Sequence, residues 1–184
     1  MALTPSNMMP LGTKAPNFKL VDTKDNIVKT LHELKGASGT LVMFICNHCP
    51  FVIHVNEELV RLANDYSCKG LNCIAISSND VVNYPQDGPD KMKQHAIDNH
   101  YPFPYLYDET QDVAKAYDAA CTPDFFLFNG ELNLVYAGQL DGSRPGNGIP
   151  VTGEDLRSAI DGLVNNTPIR ENQRPSMGCN IKWK

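Results

Sequence analysis

The sequence lacks any run of about 18 apolar residues, so we expect no membrane-spanning helix. Its 16 Lys and Arg residues are outnumbered by 21 Asp and Glu residues, and no stretch concentrates the basic ones, which disfavours nucleic-acid binding. Residues 1–12 have neither a basic start nor an apolar run, so we expect no secretion signal. These absences favour a cytoplasmic protein without nucleic-acid or membrane partners.

Internal repeats and low-complexity tracts are also absent, which favours a single packed domain. The chain has 184 residues, of which 42% are apolar and 20% are charged, a composition typical of globular proteins. This length suits one domain with a substantial core better than two domains. We expect a loose lead-in over residues 1–14, a folded domain over residues 15–166 and a tail over residues 167–184.

The six cysteines are spread too thinly for the disulfide framework of a small secreted protein. They are Cys46, Cys49, Cys68, Cys73, Cys121 and Cys179. In a reducing compartment a closely spaced pair indicates redox chemistry or metal binding. Cys46 and Cys49 form a Cys-x-x-Cys motif, and the second such motif that would favour a zinc or iron–sulfur site is absent.

Alternating strand and helix patterns predict an α/β fold with a mixed central sheet. An unbroken apolar run over residues 41–45 is typical of a strand covered on both faces. Apolar residues at helical spacing follow over residues 50–66, and residues 72–76 resemble a second buried strand. The other main predicted elements are an N-terminal hairpin over residues 18–28, a hairpin that turns at Asn129-Gly130 and a closing helix over residues 152–165 that Thr152 caps.

The Cys46-Asn47-His48-Cys49 motif lies between the first predicted strand and the helix that follows. Free N–H groups and the positive end of a helix dipole stabilise a thiolate at such a junction. We expect Cys46 to be exposed at or just before the helix start and to act as the nucleophile. The more buried Cys49 would then resolve mixed disulfides. His48 is expected to stabilise the thiolate through a hydrogen bond or positive charge.

Thr122-Pro123 directly precedes the strand predicted over residues 125–128. A proline that enters a strand is explained by a special turn, such as one with a cis peptide bond. We therefore expect a cis Thr122–Pro123 bond, with Pro123 facing Cys46 and Cys49.

These features together resemble the thioredoxin superfamily. Residues 15–20 (APNFKL) are similar to the start of proteins of the alkyl hydroperoxide reductase/thiol-specific antioxidant (AhpC/TSA) type. Residues 47–52 (NHCPFV), 143–147 (SRPGN) and 178–184 (GCNIKWK) resemble a peroxiredoxin-like branch with a Cys-x-x-Cys motif. The resemblance implies a thioredoxin fold and thiol–disulfide oxidoreductase activity without a cofactor. Its implied partners are protein or small-molecule thiols and disulfides, and a reductant such as a thioredoxin system.

The resemblance also implies an alternative, a thiol peroxidase in which Cys49 attacks hydroperoxides. Peroxiredoxins carry a proline and a threonine or serine where this chain has Val42 and Cys46. Loss of such polarising groups commonly lowers a rate by about 10²–10³-fold. Arg144, in a loop predicted to return to the active-site end, is a candidate replacement for the peroxiredoxin arginine, and a solvent-facing loop residue is the alternative. The buried aspartate of thioredoxin would fall near Thr40, which leaves His48 as the substitute proton acceptor.

Two further functions stay open. A metal-binding module would combine Cys46 and Cys49 with Cys121 or Cys179 around zinc or an iron–sulfur centre. An adaptor with an idle redox fold would form no disulfide at the motif.

Cys179 in the tail is a candidate third redox thiol. About 13 residues separate it from the end of the last predicted helix, and they can span roughly 43 Å. A docked tail could therefore present Cys179 to Cys46 and Cys49, or to Cys121 beside Pro123. The alternative is a disordered end with an idle thiol.

Overall fold

The structure, a computed structural model, describes residues 3–184. Its strands are β1 (Leu3–Pro5), β2 (Lys19–Asp22), β3 (Val28–Thr30), β4 (Gly39–Phe44), β5 (Leu71–Ser77), β6 (Tyr105–Tyr107), β7 (Cys121–Thr122), β8 (Asp124–Asn129), β9 (Leu134–Gly138) and β10 (Met177–Asn180). Its helices are α1 (Leu31–Leu34), α2 (Pro50–Ser67), α3 (Pro89–Asp98), α4 (Asp112–Ala116) and α5 (Glu154–Val164), with a 3₁₀ turn over Pro85–Asp87. None of the helices in this described part is long and apolar enough to cross a membrane.

Seven strands form the central sheet in the order β3-β2-β6-β5-β4-β8-β9. β4 lies in the middle, parallel to β5 and antiparallel to β8, so the predicted mixed sheet is confirmed. The hairpin of β2 and β3 joins the sheet through β6, which confirms the predicted N-terminal hairpin extension.

Alternation along β4 explains its unbroken apolar run. Leu41 and Met43 pack in the core on the side of α2, α3 and α5, whereas Val42 and Phe44 pack in the core on the side of α1 and α4. Both faces of the strand are therefore covered, and burial of each large apolar side chain contributes roughly 1.5–3 kcal/mol. This packing fixes the end of β4, from which the chain continues to Cys46.

A second sheet joins the two ends of the described chain. Its order is β1-β10-β7, and both pairings are antiparallel. The expectation of a loose lead-in is therefore wrong for Leu3–Pro5, because β1 pairs with β10. The tail is docked rather than disordered, since β10 lies between β1 and β7 and Cys179 pairs with Thr122.

The predictions for two turns are wrong. In each, the residue with positive φ differs from the residue predicted to form the turn or the cap. The turn between β8 and β9 extends from Asn129 to Asn133, and Leu132 has the positive φ of 64°. It is therefore longer than the two-residue turn that Asn129-Gly130 predicts. The last helix begins at Glu154, and Gly153, with φ of 68°, takes the N-cap position predicted for Thr152.

Candidate functional site

The loop between β4 and α2 places Cys49, rather than Cys46, at the helix N-terminus. Cys49 is the N-cap residue of α2, and its carbonyl oxygen accepts hydrogen bonds from the N–H groups of Val52 and Ile53, both at 3.0 Å. Pro50 occupies the first helical turn, where a missing N–H is tolerated. Cys46 lies in the preceding loop and is only 1% exposed. The expectation that Cys46 is the exposed thiol at the helix start is therefore wrong.

The two thiols of the motif have opposite pKa shifts. A hydrogen bond from Cys46 lowers the pKa of Cys49 to about 4, and contacts with Cys179, Thr122 and the backbone of Val52 act in the same direction. The pKa of Cys46 is raised well above its usual value because its thiol donates that hydrogen bond, because it is buried and because Asp87 is close. The helix dipole also favours negative charge at Cys49. We therefore assign the thiolate to Cys49 and the retained proton to Cys46.

The turn before β8 lies directly against both sulfur atoms. The Thr122–Pro123 peptide bond is cis, as predicted. The Thr122 hydroxyl oxygen lies 3.5 Å from Cys46 Sγ. The carbonyl oxygen of Thr122 lies 3.2 Å from Cys49 Sγ and accepts a hydrogen bond when Cys49 is protonated. The structure thus brings the two halves of the predicted site together, although they are more than 70 residues apart in the chain.

A buried carboxylate that the sequence did not reveal orients His48. Asp87 is fully buried, and its Oδ2 lies 2.6 Å from His48 Nδ1. The same carboxylate accepts hydrogen bonds from the Asn47 backbone N–H at 2.9 Å and from Asn79 Nδ2 at 2.8 Å. His48 Nδ1 also lies 4.0 Å from Cys46 Sγ. Asp87 is thus the buried acid of this site, and it enters from the 3₁₀ turn rather than from the position of Thr40.

Tyr84 and Tyr105 complete the surroundings of the motif. The Tyr84 ring stacks on His48 with centroids 5.6 Å apart. The Tyr105 hydroxyl donates a hydrogen bond to the side-chain oxygen of Asn47 at 3.1 Å. No local sequence pattern marks these residues or Asp87, because they reach the motif only through the tertiary fold.

Cys179 and Cys121 bring two further thiols to the same region. Cys179 is buried in β10 and makes a side-chain hydrogen bond to Cys49. Burial raises the pKa of Cys179 to about 12, and the neighbouring Cys49 adds to that shift. Cys121 is also buried, its Sγ lies 3.6 Å from the carbonyl oxygen of Pro123, and burial raises its pKa. Cys179 therefore lies at the motif, and Cys121 lies in the Thr122–Pro123 turn beside it.

Arg144 lies near the site but binds its own loop. Its guanidinium donates to the carbonyl oxygens of Asp141 and Ser143, at 2.7 and 2.6 Å, and to Gln139 Oε1 at 2.6 Å. It lines a small pocket together with Pro123. None of these hydrogen bonds reaches Cys46 or Cys49. Replacement of the peroxiredoxin arginine by Arg144 stays a prediction.

The grouping of potential metal ligands differs from the predicted one. Within residues 3–184, Cys46, His48 and Asp87 are the set of three whose donor atoms all lie within 4.8 Å of one another. Cys121 and Cys179 are not part of it. A metal ion at this place would need His48 Nδ1 and Asp87 Oδ2 as ligands. These two atoms are already joined by a hydrogen bond, which the ion would have to replace. The arrangement favours proton handling over a closed structural metal site.

Solved structures share this architecture over most of the chain. An uncharacterised conserved protein from Geobacillus kaustophilus is 59% identical, with a TM-score of 0.98 over 100% of this chain and 97% of that one. A hypothetical protein from Sinorhizobium meliloti is 48% identical, with a TM-score of 0.96 over 98% of each chain. A thiol:disulfide interchange protein from a Bacteroides species is 19% identical, with a TM-score of 0.65 over 85% of this chain and 91% of that one. The last similarity confirms the thioredoxin fold.

The family comparison agrees with the fold. Residues 11–137 match the AhpC/TSA family, and this segment contains the Cys-x-x-Cys motif and the Thr122–Pro123 turn. No curated protein matches the chain.

Proposed function

Since this chain belongs to the AhpC/TSA family, we propose that it is a thiol–disulfide oxidoreductase that uses Cys46 and Cys49 as its redox pair. A thioredoxin-like redox role follows from the family and the fold. The observation that supports this particular pair is that Thr122 contacts both sulfur atoms, with its hydroxyl oxygen 3.5 Å from Cys46 Sγ and its carbonyl oxygen 3.2 Å from Cys49 Sγ. The opposite pKa shifts of the two thiols, which place the negative charge on Cys49, agree with it. The expected substrates are disulfides of proteins or small molecules, and the expected reductant is a thioredoxin-type dithiol.

In the proposed reaction the Cys49 thiolate attacks a substrate disulfide. A bond forms between Cys49 Sγ and one substrate sulfur, and the other substrate sulfur leaves as a thiolate. Cys46 then attacks Cys49 Sγ, the remaining substrate thiolate leaves, and the Cys46–Cys49 disulfide is formed. The external dithiol returns two electrons to that disulfide and is itself oxidised. Because Cys46 and Cys49 are both buried, a substrate disulfide can reach Cys49 only after the residues around the motif move apart.

The second step requires that Cys46 lose its proton. His48 lies next to Cys46 Sγ, and Asp87 holds the ring through its hydrogen bond to Nδ1. We propose that His48 Nδ1 passes its own proton to Asp87 Oδ2, 2.6 Å away, and takes up the Cys46 proton in its place. The Thr122 hydroxyl, 3.5 Å from Cys46 Sγ, can donate to the thiolate once it forms.

A redox titration tests the proposed pair. After equilibration in glutathione buffers of known potential, we expect alkylation and peptide mapping to show a two-electron transition that protects Cys46 and Cys49 together. Cys68→Ser is the matched control, because Cys68 is an exposed cysteine beyond the end of α2, and it should titrate like the unchanged protein. If both motif thiols are alkylated at every potential, the proposed function is wrong and the adaptor hypothesis gains support.

Asp87→Asn should slow the resolving step. The substitution removes the negative charge that orients His48 but keeps an oxygen for the Asn47 N–H. We expect the mixed disulfide on Cys49 to decay roughly 10²-fold more slowly, a typical effect of lost acid–base assistance. Quenched-flow alkylation with mass spectrometry measures this decay. The rate of the first attack, measured in the same samples, should change far less. Equal losses in both steps would contradict a role for Asp87 in the second one.

Peroxide reduction by Cys49 is a second candidate activity. It is favoured by the lowered pKa of Cys49 at the helix N-terminus, where the family places its peroxide-attacking cysteine. It is opposed by Val42 and Cys46 at the two polarising positions and by the hydrogen bonds that hold Arg144 within its own loop. Disulfide exchange requires neither group, so we place it first.

A further inference from the structure

Cys49 contacts two thiols rather than one. Cys46 approaches it from the β4–α2 loop, and Cys179 approaches it from β10. All three cysteines are buried in the same core. Because the pKa of Cys179 is raised and that of Cys49 is lowered, Cys179 is the donor in their hydrogen bond. Two neighbouring thiols, Cys46 and Cys179, therefore stabilise the negative charge on Cys49.

The contact is built into the fold because β10 is fixed on both sides. Cys179 pairs with Leu3 of β1 and with Thr122 of β7. At the preceding residue, Gly178, an added Cβ would lie 2.0 Å from the carbonyl oxygen of Thr122. Only glycine permits this approach of β10 to the turn that carries Pro123. Beyond β10, the Ile181 N–H bonds to the carbonyl oxygen of Ala120 at 3.1 Å.

We propose that Cys179 is a second resolving cysteine, which competes with Cys46 for Cys49. This inference rests on the proposed disulfide exchange, and it adds a second internal disulfide, Cys49–Cys179. The pairing of Cys179 with Thr122, whose carbonyl oxygen lies 3.2 Å from Cys49 Sγ, carries the proposal. Such a disulfide would tie the tail to the redox site and would leave Cys46 reduced.

The exchange balances without an external oxidant. In the Cys46–Cys49 form, the Cys179 thiolate attacks Cys49 Sγ, the Cys46–Cys49 bond breaks, and Cys46 leaves as a thiolate that takes up the proton released by Cys179. In a mixed disulfide the same attack expels the substrate thiolate. Once Cys49 is in a disulfide its negative charge is gone, so its hydrogen-bond and Coulombic contributions to the raised pKa of Cys179 disappear. Burial remains, and we expect Cys179 to react more slowly than Cys46.

Oxidised glutathione is the probe that distinguishes these routes. We expect Cys46→Ser to form a transient mixed disulfide on Cys49 and then a Cys49–Cys179 disulfide, identified by peptide mapping. In the double variant Cys46→Ser/Cys179→Ser the mixed disulfide should last at least about tenfold longer. Cys46→Ser/Cys121→Ser is the matched control, since Cys121 is also buried near the site, and it should still form Cys49–Cys179.

The outcomes separate this proposal from the proposed function. A mixed disulfide that is equally long-lived in Cys46→Ser and in Cys46→Ser/Cys179→Ser would overturn the role of Cys179 and leave the Cys46–Cys49 pair intact. Absence of the Cys46–Cys49 disulfide from the unchanged protein would instead overturn the proposed function. Cys179→Ala provides the same test if serine at this buried position disturbs β10.

Discussion

Cys49→Ser is expected to abolish disulfide exchange, with a loss of roughly 10³-fold or more in rate. Serine keeps the shape of the side chain and can still donate to the carbonyl oxygen of Thr122, but its hydroxyl does not ionise near neutral pH. The remaining motif thiol, Cys46, cannot replace it, because burial and the nearby Asp87 still raise its pKa in this variant and because it lies outside the helix N-terminus. Turnover of a small disulfide by the pure protein, with a dithiol reductant present, measures the effect.

Cys46→Ser is the variant whose activity should be compared with that of Cys49→Ser. It should retain the first attack on the substrate, because the serine hydroxyl can still donate a hydrogen bond to the Cys49 thiolate and the N-terminus of α2 is unchanged. A Cys49→Ser variant with normal turnover, paired with an inactive Cys46→Ser variant, would restore Cys46 as the nucleophile. That outcome would show that the thiolate is not on the N-cap residue Cys49.

The sequence was informative about elements whose signals are local. The apolar run over residues 41–45 and the spacing over residues 50–66 predicted a buried strand and the helix after it, and β4 and α2 confirm both. The cis bond before Pro123 was predicted because a proline at the start of a strand requires a special turn. These features depend on residues that are close in the chain, so a local pattern contains them.

The two cysteines were given the wrong positions although the start of the helix near residue 50 was predicted correctly. Pro50 is the signal that could have corrected this error, because proline favours the first helical position and therefore marks Cys49 as the N-cap. The error matters because the dipole effect is confined to the first turn. The buried state of Cys46 was hidden for a different reason, since its cover comes from Thr122 and from the remote residue Asp87.

Asp87 and the docked tail depend on contacts that no local pattern records. Asp87 meets His48 across 39 residues, and the turn that carries it has no helical or strand periodicity. β1 and β10 have three and four residues, too short for a recognisable alternation, and they lie at opposite ends of the chain. Chain length alone allowed the tail to return to the motif, but only the pairing of Cys179 with Thr122 shows where it docks.

Asp124→Asn is expected to raise the free energy of unfolding at pH 8 by about 2–4 kcal/mol. It should also remove much of the stability that the unchanged protein loses as the pH rises above 5. Asp124 is the first residue of β8, directly after Pro123, and it is fully buried. Burial raises its pKa from 3.8 to about 7, although Ser6 and the backbone N–H groups of Ala120 and Phe125 act in the opposite direction. The folded protein therefore holds a proton there that the unfolded chain has lost, and the free energy of unfolding falls as the pH rises from about 4 to about 7.

Denaturant titrations of both proteins at pH 5 and pH 8, under reducing conditions, measure this difference. Cys49 shifts stability in the other direction, because its pKa is lowered on folding, but it does so in both proteins and cancels in the comparison. At pH 5 most of the advantage should vanish, since Asp124 is then largely protonated and the asparagine amide gains no equivalent benefit. A variant equally stabilised at both pH values would contradict the buried neutral acid.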